Sequence, residues 1–78
     1  MVRMRLYGWV AERFGWRERS LEFEGTLEDL LNGLNAELVE FISKGRVMVA
    51  VNHSLERDLS KRISGDDIIA ILPTFSGG

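Results

Sequence analysis

The shortness of the chain limits it to a single small domain. Its 78 residues include one proline and no interior stretch with the composition of a linker. A chain of this length buries only about 60 to 65% of the surface that its unfolded form exposes, so it cannot also enclose a deep substrate cavity. We therefore expect one domain, and we do not expect it to be catalytic alone.

The first third of the chain predicts two strands. Apolar and charged residues alternate at the start with the period of a half-buried strand, which we predict over residues 2–9. Residues 10–14 lack this alternation and run into Gly15, so a short helix or loop is expected there. The alternation returns over residues 20–24, and the two strands predict an opening hairpin.

The most regular helical spacing starts at Thr26. Thr26 can cap a helix whose positive end suits the acidic Asp29 three residues later. Four leucines then share one face of that helix: Leu27, Leu30, Leu31 and Leu34. The apolar stripe continues towards Gly45, where a helix is expected to stop, with a break near Asn35.

The second half of the chain predicts two more strands. Residues 46–51 are rich in β-branched side chains and precede the turn-forming residues 52–54. Residues 55–63 carry apolar side chains four apart, which indicates a half-buried connection. Residues 68–72 are typical of a central strand, and Pro73 should end its pairing because proline lacks a backbone N–H.

These elements follow the order strand, strand, helix, strand, irregular segment, strand. That order is typical of an α+β fold in which a mixed sheet packs one face on one main helix. The ubiquitin-like β-grasp fold is the natural candidate. We predict a β-grasp domain over residues 1–73 and a flexible C-terminal tail over residues 74–78.

The composition argues against several kinds of site. The chain has no cysteine, which removes disulfides, thiolate nucleophiles and the usual zinc ligand sets. A net charge of −2 does not favour binding to nucleic acid or to an anionic membrane. No long apolar run indicates a signal peptide or a membrane span, so a cytoplasmic location is expected. The sole histidine, His53, and the acidic pair Asp66-Asp67 are expected in solvated turns, without a metal site.

The C-terminal segment is the remaining candidate for chemistry. Residues 73–78 carry no charged side chain, and the last two are glycines, so a backbone carboxylate there can enter a narrow channel. The candidate site residues are Gly78 with the reacting carboxylate, Gly77 and Ser76 threading a partner's active site, and Phe75 and Pro73 docking on that partner.

Over nearly its whole length the chain resembles the small subunit of molybdopterin synthase and its ubiquitin-like sulfur-carrier relatives. The shared features are a hydrophobic strand at residues 2–7, a leucine-rich helix at residues 26–34, a VxVN turn at residues 49–52, a GDE-like turn at residues 65–67, and an apolar strand with proline and Gly-Gly at residues 70–78. The family often has a second proline where Thr74 stands and a smaller apolar residue where Phe75 stands.

The resemblance implies that the chain carries sulfur. In such families an E1-like adenylating enzyme uses ATP to activate the terminal glycine carboxylate, and a sulfur donor protein then converts it to a thiocarboxylate. Gly78 is then the sulfur carrier, and the large subunit of molybdopterin synthase receives the tail. The chain itself is expected to bind no cofactor.

Other uses of the same residues stay open. A ubiquitin-like modifier would join Gly78 to a lysine amine of another protein, although this tail lacks the basic residues that precede Gly-Gly in ubiquitin. A thiamine-pathway carrier would deliver sulfur to a different acceptor. A plain interaction domain would have an inert tail.

Overall fold

The computed structural model describes residues 1–74, and the two central strands of its sheet come from opposite ends of that range. In chain order the elements are β1 (Val2–Leu6), α1 (Trp9–Phe14), β2 (Glu18–Leu21), β3 (Gly25–Thr26), α2 (Leu27–Leu34), α3 (Ala36–Ser43), β4 (Val47–Val51), β5 (Ser54–Leu55), β6 (Arg62–Ile63) and β7 (Ile68–Pro73). β1 and β7 are parallel, with Arg3 opposite Ile68 and Leu6 opposite Ile71. Parallel neighbours need a long crossover, and the helices lie within it.

Antiparallel strands extend this central pair on both sides. β2 pairs with β1, while β4 pairs with β7 from Val47 opposite Pro73 to Val51 opposite Ile69. β5 lies on the far side of β4. Within residues 1–74 the main sheet therefore has the order β2-β1-β7-β4-β5, and β3 and β6 form a separate small sheet. The predicted mixed sheet and the antiparallel pairing of the first two strands are confirmed. The second strand, however, covers Glu18–Leu21 and not the predicted residues 20–24.

Local capping explains where the helices begin and end. The Thr26 hydroxyl accepts a hydrogen bond from the Asp29 N–H at 3.1 Å and caps α2. Asn35 follows α2, and its side-chain oxygen accepts from the Glu37 N–H at 2.9 Å, which caps α3. The predicted break near Asn35 is confirmed. Gly15, with a φ of 82°, ends α1 in the left-handed conformation that glycine adopts readily.

One face of the sheet packs on the helices. Alternate residues of the three central strands are buried: Val2, Met4, Leu6, Val47, Val49, Val51, Ile69 and Ile71. The helices bury Val10, Ala11, Leu27, Leu30, Leu31, Leu38 and Phe41 against them. Full burial of one such aliphatic side chain contributes roughly 1.5–3 kcal/mol, so this layer stabilises the fold. A mixed sheet covered by helices on one face is the predicted β-grasp architecture.

The first strand is shorter than predicted. It ends at Leu6, because Gly8 takes a left-handed φ of 57° and Trp9 begins α1. The alternation in the sequence continues to Tyr7, whose N–H still donates to the Ile71 carbonyl at 3.1 Å. The alternation in the sequence therefore extends one residue beyond the end of β1.

The prediction that Pro73 ends the pairing of its strand is wrong. Pro73 lies opposite Val47, and the next residue, Thr74, donates its N–H to the Arg46 carbonyl at 3.1 Å. Successive residues of a strand direct their backbone groups to opposite sides. The nitrogen of Pro73 is directed towards β1, beyond its last residue, so the missing N–H costs no hydrogen bond to β4.

No helix within residues 1–74 is long and apolar enough to span a membrane.

Candidate functional site

The chain reaches its predicted reactive segment through the end of β7. We call Pro73 and Thr74 the tail root. Thr74 donates its N–H to the Arg46 carbonyl at 3.1 Å and its hydroxyl to the Gly45 carbonyl at 2.8 Å. Two hydrogen bonds therefore hold the tail root to the chain just before β4.

Aromatic rings and a guanidinium lie beside the tail root. Trp9 and Phe41 meet edge to face with ring centroids 5.3 Å apart. The Arg46 guanidinium carbon lies 5.5 Å from the centroid of each of these two rings, within the range of a cation–π contact. The same arginine thus contacts the tail root through its backbone and the aromatic pair through its side chain. A shallow depression of about 240 Å³ opens there, lined by Trp9, Lys44, Gly45, Arg46 and Thr74.

Other cations near the tail root are paired with carboxylates. Lys44 contacts Glu40 at 2.8 Å, and Arg13 contacts Glu37 at 2.6 Å. The hydrogen bond and the positive charge of Lys44 hold the pKa of the Glu40 carboxyl below its ordinary value. Arg46 forms no ion pair with any residue of the described part of the chain.

The sheet face opposite the helices is a second candidate surface. We call it the outer face. One row of residues crosses it from strand to strand, with Arg5 opposite Ala70, Ala70 opposite Ala50, and Ala50 opposite Leu55. A depression of about 280 Å³ on this face is lined by Arg5, Tyr7, Ala50, His53, Leu55, Ile68, Ala70 and Leu72. Leu55 is 62% exposed. An apolar floor with polar residues at its rim suits contact with another protein.

Arg5 supplies a fixed positive charge to the outer face. A hydrogen bond with Tyr7 is the largest cause that raises the pKa of its guanidinium, and the nearby Glu18 carboxylate adds to it. The Arg5 and Glu18 side chains are 3.5 Å apart. The rim of the outer face therefore carries an ion pair.

The two turns with motif-like sequences are joined by hydrogen bonds. The Asn52 amide donates to the Asp67 carboxylate at 2.9 Å and accepts from the Ile68 N–H at 2.9 Å. The other Asp67 oxygen accepts from the Ser64 N–H at 3.0 Å. The Asn52 and Ser64 donors lower the pKa of Asp67. This network fixes the start of β7, so its role is structural.

Only one of the predicted site residues lies within the part of the chain that the structure describes. Pro73 lies at the tail root, half-buried. Phe75, Ser76, Gly77 and Gly78 lie outside the described residues, so their predicted roles stay predictions.

The residues expected in solvated turns lie in such turns. His53 is exposed between β4 and β5. Asp66 is also exposed and bonds the N-terminal amine of Met1 at 2.8 Å, which lowers the pKa of its carboxyl. Within residues 1–74 no group of three or more histidine, aspartate or glutamate side chains is placed to hold a metal.

Sequence reasoning missed the pairing of Trp9, Phe41 and Arg46. The sequence pattern places Arg46 only at the start of the strand predicted over residues 46–51. No periodicity links the three positions, which belong to three different elements or their borders. A positive residue directly before a strand that pairs with the C-terminal strand is the one signal that could have indicated it.

Comparisons with known proteins bear on the fold and the family. Residues 4–78 match the sequence model of the ThiS family. A search of curated proteins gave no significant match.

Three similar solved structures are each under 25% identical to this chain, so they inform the fold. The small archaeal modifier protein 1 of Methanosarcina acetivorans is 23% identical, with a TM-score of 0.77 and coverage of 99% of this chain and 95% of that one. The same modifier from Haloferax volcanii is 22% identical, with a TM-score of 0.72 and coverage of 99% and 98%. A Helicobacter pylori complex of subunits 1 and 2 of molybdopterin-converting factor contains a chain that is 23% identical, with a TM-score of 0.67 and coverage of 99% and 97%.

The family match spans nearly the whole chain, and the similar structures share the mixed sheet and helices described above. The predicted β-grasp fold and the predicted relationship to sulfur carriers are confirmed. This chain belongs to the ThiS family and has the ubiquitin-like β-grasp fold.

Proposed function

We propose that this protein is a sulfur carrier whose reactive group is a thiocarboxylate on Gly78. The observation that supports it most is the family match, which continues through the two terminal glycines. The fold agrees with it, because β7 is a central strand that ends at the tail root. A rigid strand followed by a short segment that ends in two glycines is suited to present a carboxylate to another protein.

The chemistry needs two steps and two partners. An adenylating enzyme joins the Gly78 carboxylate oxygen to the α-phosphorus of ATP, which forms an acyl adenylate and releases pyrophosphate. A hydrosulfide or a protein-bound persulfide then attacks the acyl carbon, a C–S bond forms, and the C–O bond to AMP breaks. With a persulfide, a second thiol must reduce the S–S bond to release the thiocarboxylate. The carrier contributes recognition and delivery, and ATP is bound by the enzyme.

Delivery depends on the reach of the segment beyond the fold. Four residues follow the tail root, and an extended chain advances about 3.4 Å per residue. Gly78 can then stand roughly 14 Å beyond Thr74, which is deep enough to enter an active site while the folded domain stays outside. Glycine at the last two positions leaves the approach to the carboxylate unobstructed.

For the acceptor we propose a pterin precursor bound to the large subunit of molybdopterin synthase. The similar Helicobacter pylori chain is subunit 1 in a complex with subunit 2 of molybdopterin-converting factor. The outer face of the present chain offers an apolar surface for such a subunit, and on this proposal Phe75 and Pro73 make further contacts where the tail leaves the domain.

The deciding experiment measures the intact mass of the untagged protein. The protein is incubated with ATP, hydrosulfide and a candidate adenylating enzyme, and the product is fragmented to find the modified residue. A mass gain equal to replacing one oxygen by sulfur, located on Gly78, is expected. No gain with enzymes that each modify their own carrier would contradict the proposal.

Two variants serve as controls for position. Gly78→Trp obstructs the reacting carboxylate and should gain no sulfur. Gly33→Ala changes a glycine on the exposed side of α2, where an added Cβ meets nothing within 4 Å, and should react like the wild type. Sulfur transfer that survives Gly78→Trp would show that the reacting group lies elsewhere.

A second candidate function is protein modification. Two similar structures are small archaeal modifier proteins, and the same adenylate could pass Gly78 to a lysine amine with release of AMP. Digests of cellular proteins should then contain lysines that carry the C-terminal peptide of this chain in isopeptide linkage. Their absence, together with a thiocarboxylate on Gly78, would leave the sulfur-carrier function alone.

A further inference from the structure

We infer that Arg46 is a docking residue for the enzyme that adenylates Gly78, and that it contacts a carboxylate at the mouth of the channel that receives the tail. This inference rests on the proposed function and adds a specificity residue to it. It starts from the position of Arg46, whose carbonyl accepts the N–H of Thr74 at 3.1 Å. Arg46 therefore lies directly beside the point where the tail leaves the folded domain.

The side chain of Arg46 is held in place without being neutralised. Its guanidinium lies over both the Trp9 and the Phe41 rings at 5.5 Å, and these rings pack edge to face on each other. Aromatic faces orient a guanidinium and leave its N–H groups available for hydrogen bonds. Among the described residues Arg46 has no carboxylate partner, whereas the neighbouring Lys44 has one in Glu40.

A fixed, unpaired and exposed arginine is suited to a planar anion such as a carboxylate. The distance from Thr74 to Gly78 indicates which anion Arg46 can contact. Gly78 stands roughly 14 Å beyond Thr74 when the tail is extended. An arginine at the tail root is therefore too far away to contact the adenylate itself. Its partner must lie at the entrance of the active site, on the surface of the enzyme.

The test uses the adenylating enzyme that modifies the wild-type protein, and it follows release of pyrophosphate at varied carrier concentration. Arg46→Gln removes the charge and keeps an aliphatic stem, while Arg46→Glu reverses the charge. We expect the KM for the carrier to rise about three- to tenfold with Arg46→Gln and more than tenfold with Arg46→Glu, as for loss of one charge-assisted contact. The kcat at saturating carrier should stay within about twofold, because the reacting carboxylate is untouched.

A matched control is Arg62→Glu. Arg62 belongs to the separate small sheet and makes only a distant contact, 3.9 Å, with the exposed Glu24. Arg62→Glu changes the net charge by the same amount as Arg46→Glu, but at a site away from the tail root. The KM for this variant should therefore stay near the wild-type value. Salt provides a second readout, because the KM of the wild type should rise with ionic strength more steeply than that of Arg46→Gln.

The outcomes separate this inference from the proposed function. If the wild type is not adenylated by any candidate enzyme, the proposed function fails and this inference fails with it. If the wild type is adenylated and Arg46→Glu keeps the wild-type KM, the proposed function stands and the docking role of Arg46 is wrong. If the KM rises equally in Arg46→Glu and Arg62→Glu, the change in net charge alone explains the rise, and the docking role of Arg46 is again wrong. Thermal unfolding of each variant checks that it is folded at the assay temperature.

Discussion

One polar side chain at a turn joins segments that are 15 residues apart. Asn52 bonds Asp67 and the backbone of Ile68, and its own φ is 49°, a left-handed value that asparagine tolerates better than most residues. The residue therefore meets a backbone requirement and a hydrogen-bonding requirement at once. These hydrogen bonds give a physical reason why the VxVN turn and the GDE-like turn occur together in the chain.

Asn52→Ala should lower the free energy of unfolding by about 1–3 kcal/mol, since one oxygen of Asp67 loses its donor and the Ile68 N–H loses its acceptor. Urea denaturation measures the change. Asn32→Ala, at an exposed position of α2, is the matched control and should stay within about 0.5 kcal/mol of the wild type. A loss at Asn52 no larger than that at Asn32 would contradict the role given to the network.

Asp67 should make stability depend on pH. Its pKa is lowered in the folded protein, so the unfolded chain binds the proton more tightly. The stabilisation is complete above the unfolded pKa of about 3.9 and is lost as the pH falls through the folded pKa. Asp67→Asn should therefore be less stable than the wild type at neutral pH, with a difference that shrinks below about pH 4.

Urea denaturation between neutral and acidic pH measures that difference. Glu22→Gln, which removes an exposed carboxylate outside every ion pair of the described residues, is the control. A difference between wild type and Asp67→Asn that is constant with pH would show that the carboxylate's charge is not involved.

At the scale of elements, caps decide where helices start and turns decide how strands pair. Thr26 caps α2 through its hydroxyl, and Asn35 separates α2 from α3. Between β4 and β5, Asn52 and His53 both have positive φ, of 49° and 73°. Two such residues form the hairpin turn whose twist matches antiparallel strands, and glycine is favoured at its second position.

Thr26→Ala should lower the free energy of unfolding by about 1 kcal/mol, because the Asp29 N–H loses its acceptor. Thr26→Ser keeps the hydroxyl and should retain most of the stability. Thermal or urea denaturation of both variants measures how much the cap contributes to the free energy of unfolding. Equal losses in the two variants would assign the effect to the lost methyl group rather than to the hydrogen bond.

His53→Gly should stabilise the protein by about 0.5–1 kcal/mol, because glycine adopts a φ of 73° without steric strain. Ser54→Gly, one residue later in β5, introduces the same flexibility into an extended residue and should destabilise by a similar amount. Both changes can be followed by urea denaturation. A loss of stability in His53→Gly would mean that the strain at His53 is offset by contacts of its ring.

At the scale of the whole molecule, β7 has apolar residues on both faces. Ile69 and Ile71 are fully buried against the helices, whereas Ile68, Ala70 and Leu72 are on the outer face, half-buried. An unbroken apolar run is typical of a strand covered on both faces. Here helices cover one face only, and on the proposed function a partner protein covers the other.

Neighbouring residues of β7 should therefore respond differently to truncation. Ile71→Ala should cost about 2–5 kcal/mol of unfolding free energy, because it opens a cavity in the core. Leu72→Ala should cost less than about 1.5 kcal/mol, since it removes a side chain from a half-covered surface. Urea denaturation compares them, and equal costs would mean that the outer face is packed as tightly as the core.

The sequence by itself determined the local features: most of the strands and helices, the capped start of α2, the break at Asn35 and the exposed turns. Side-chain period, caps and turn residues act between neighbours in the chain, so their effects can be read without knowing the fold. The α+β class and the β-grasp architecture followed from their order. The roles of Phe75 to Gly78 rest on sequence and family alone.

Only the tertiary structure decided what depends on distant neighbours. Pro73 stays in its strand because its nitrogen is directed towards the side where β1 has already ended, and no local rule tells which side that is. Trp9, Phe41 and Arg46 meet because α1, α3 and the start of β4 converge at the tail root. The sequence predicts which residues form a strand, but which groups surround its end depends on contacts between segments far apart in the chain.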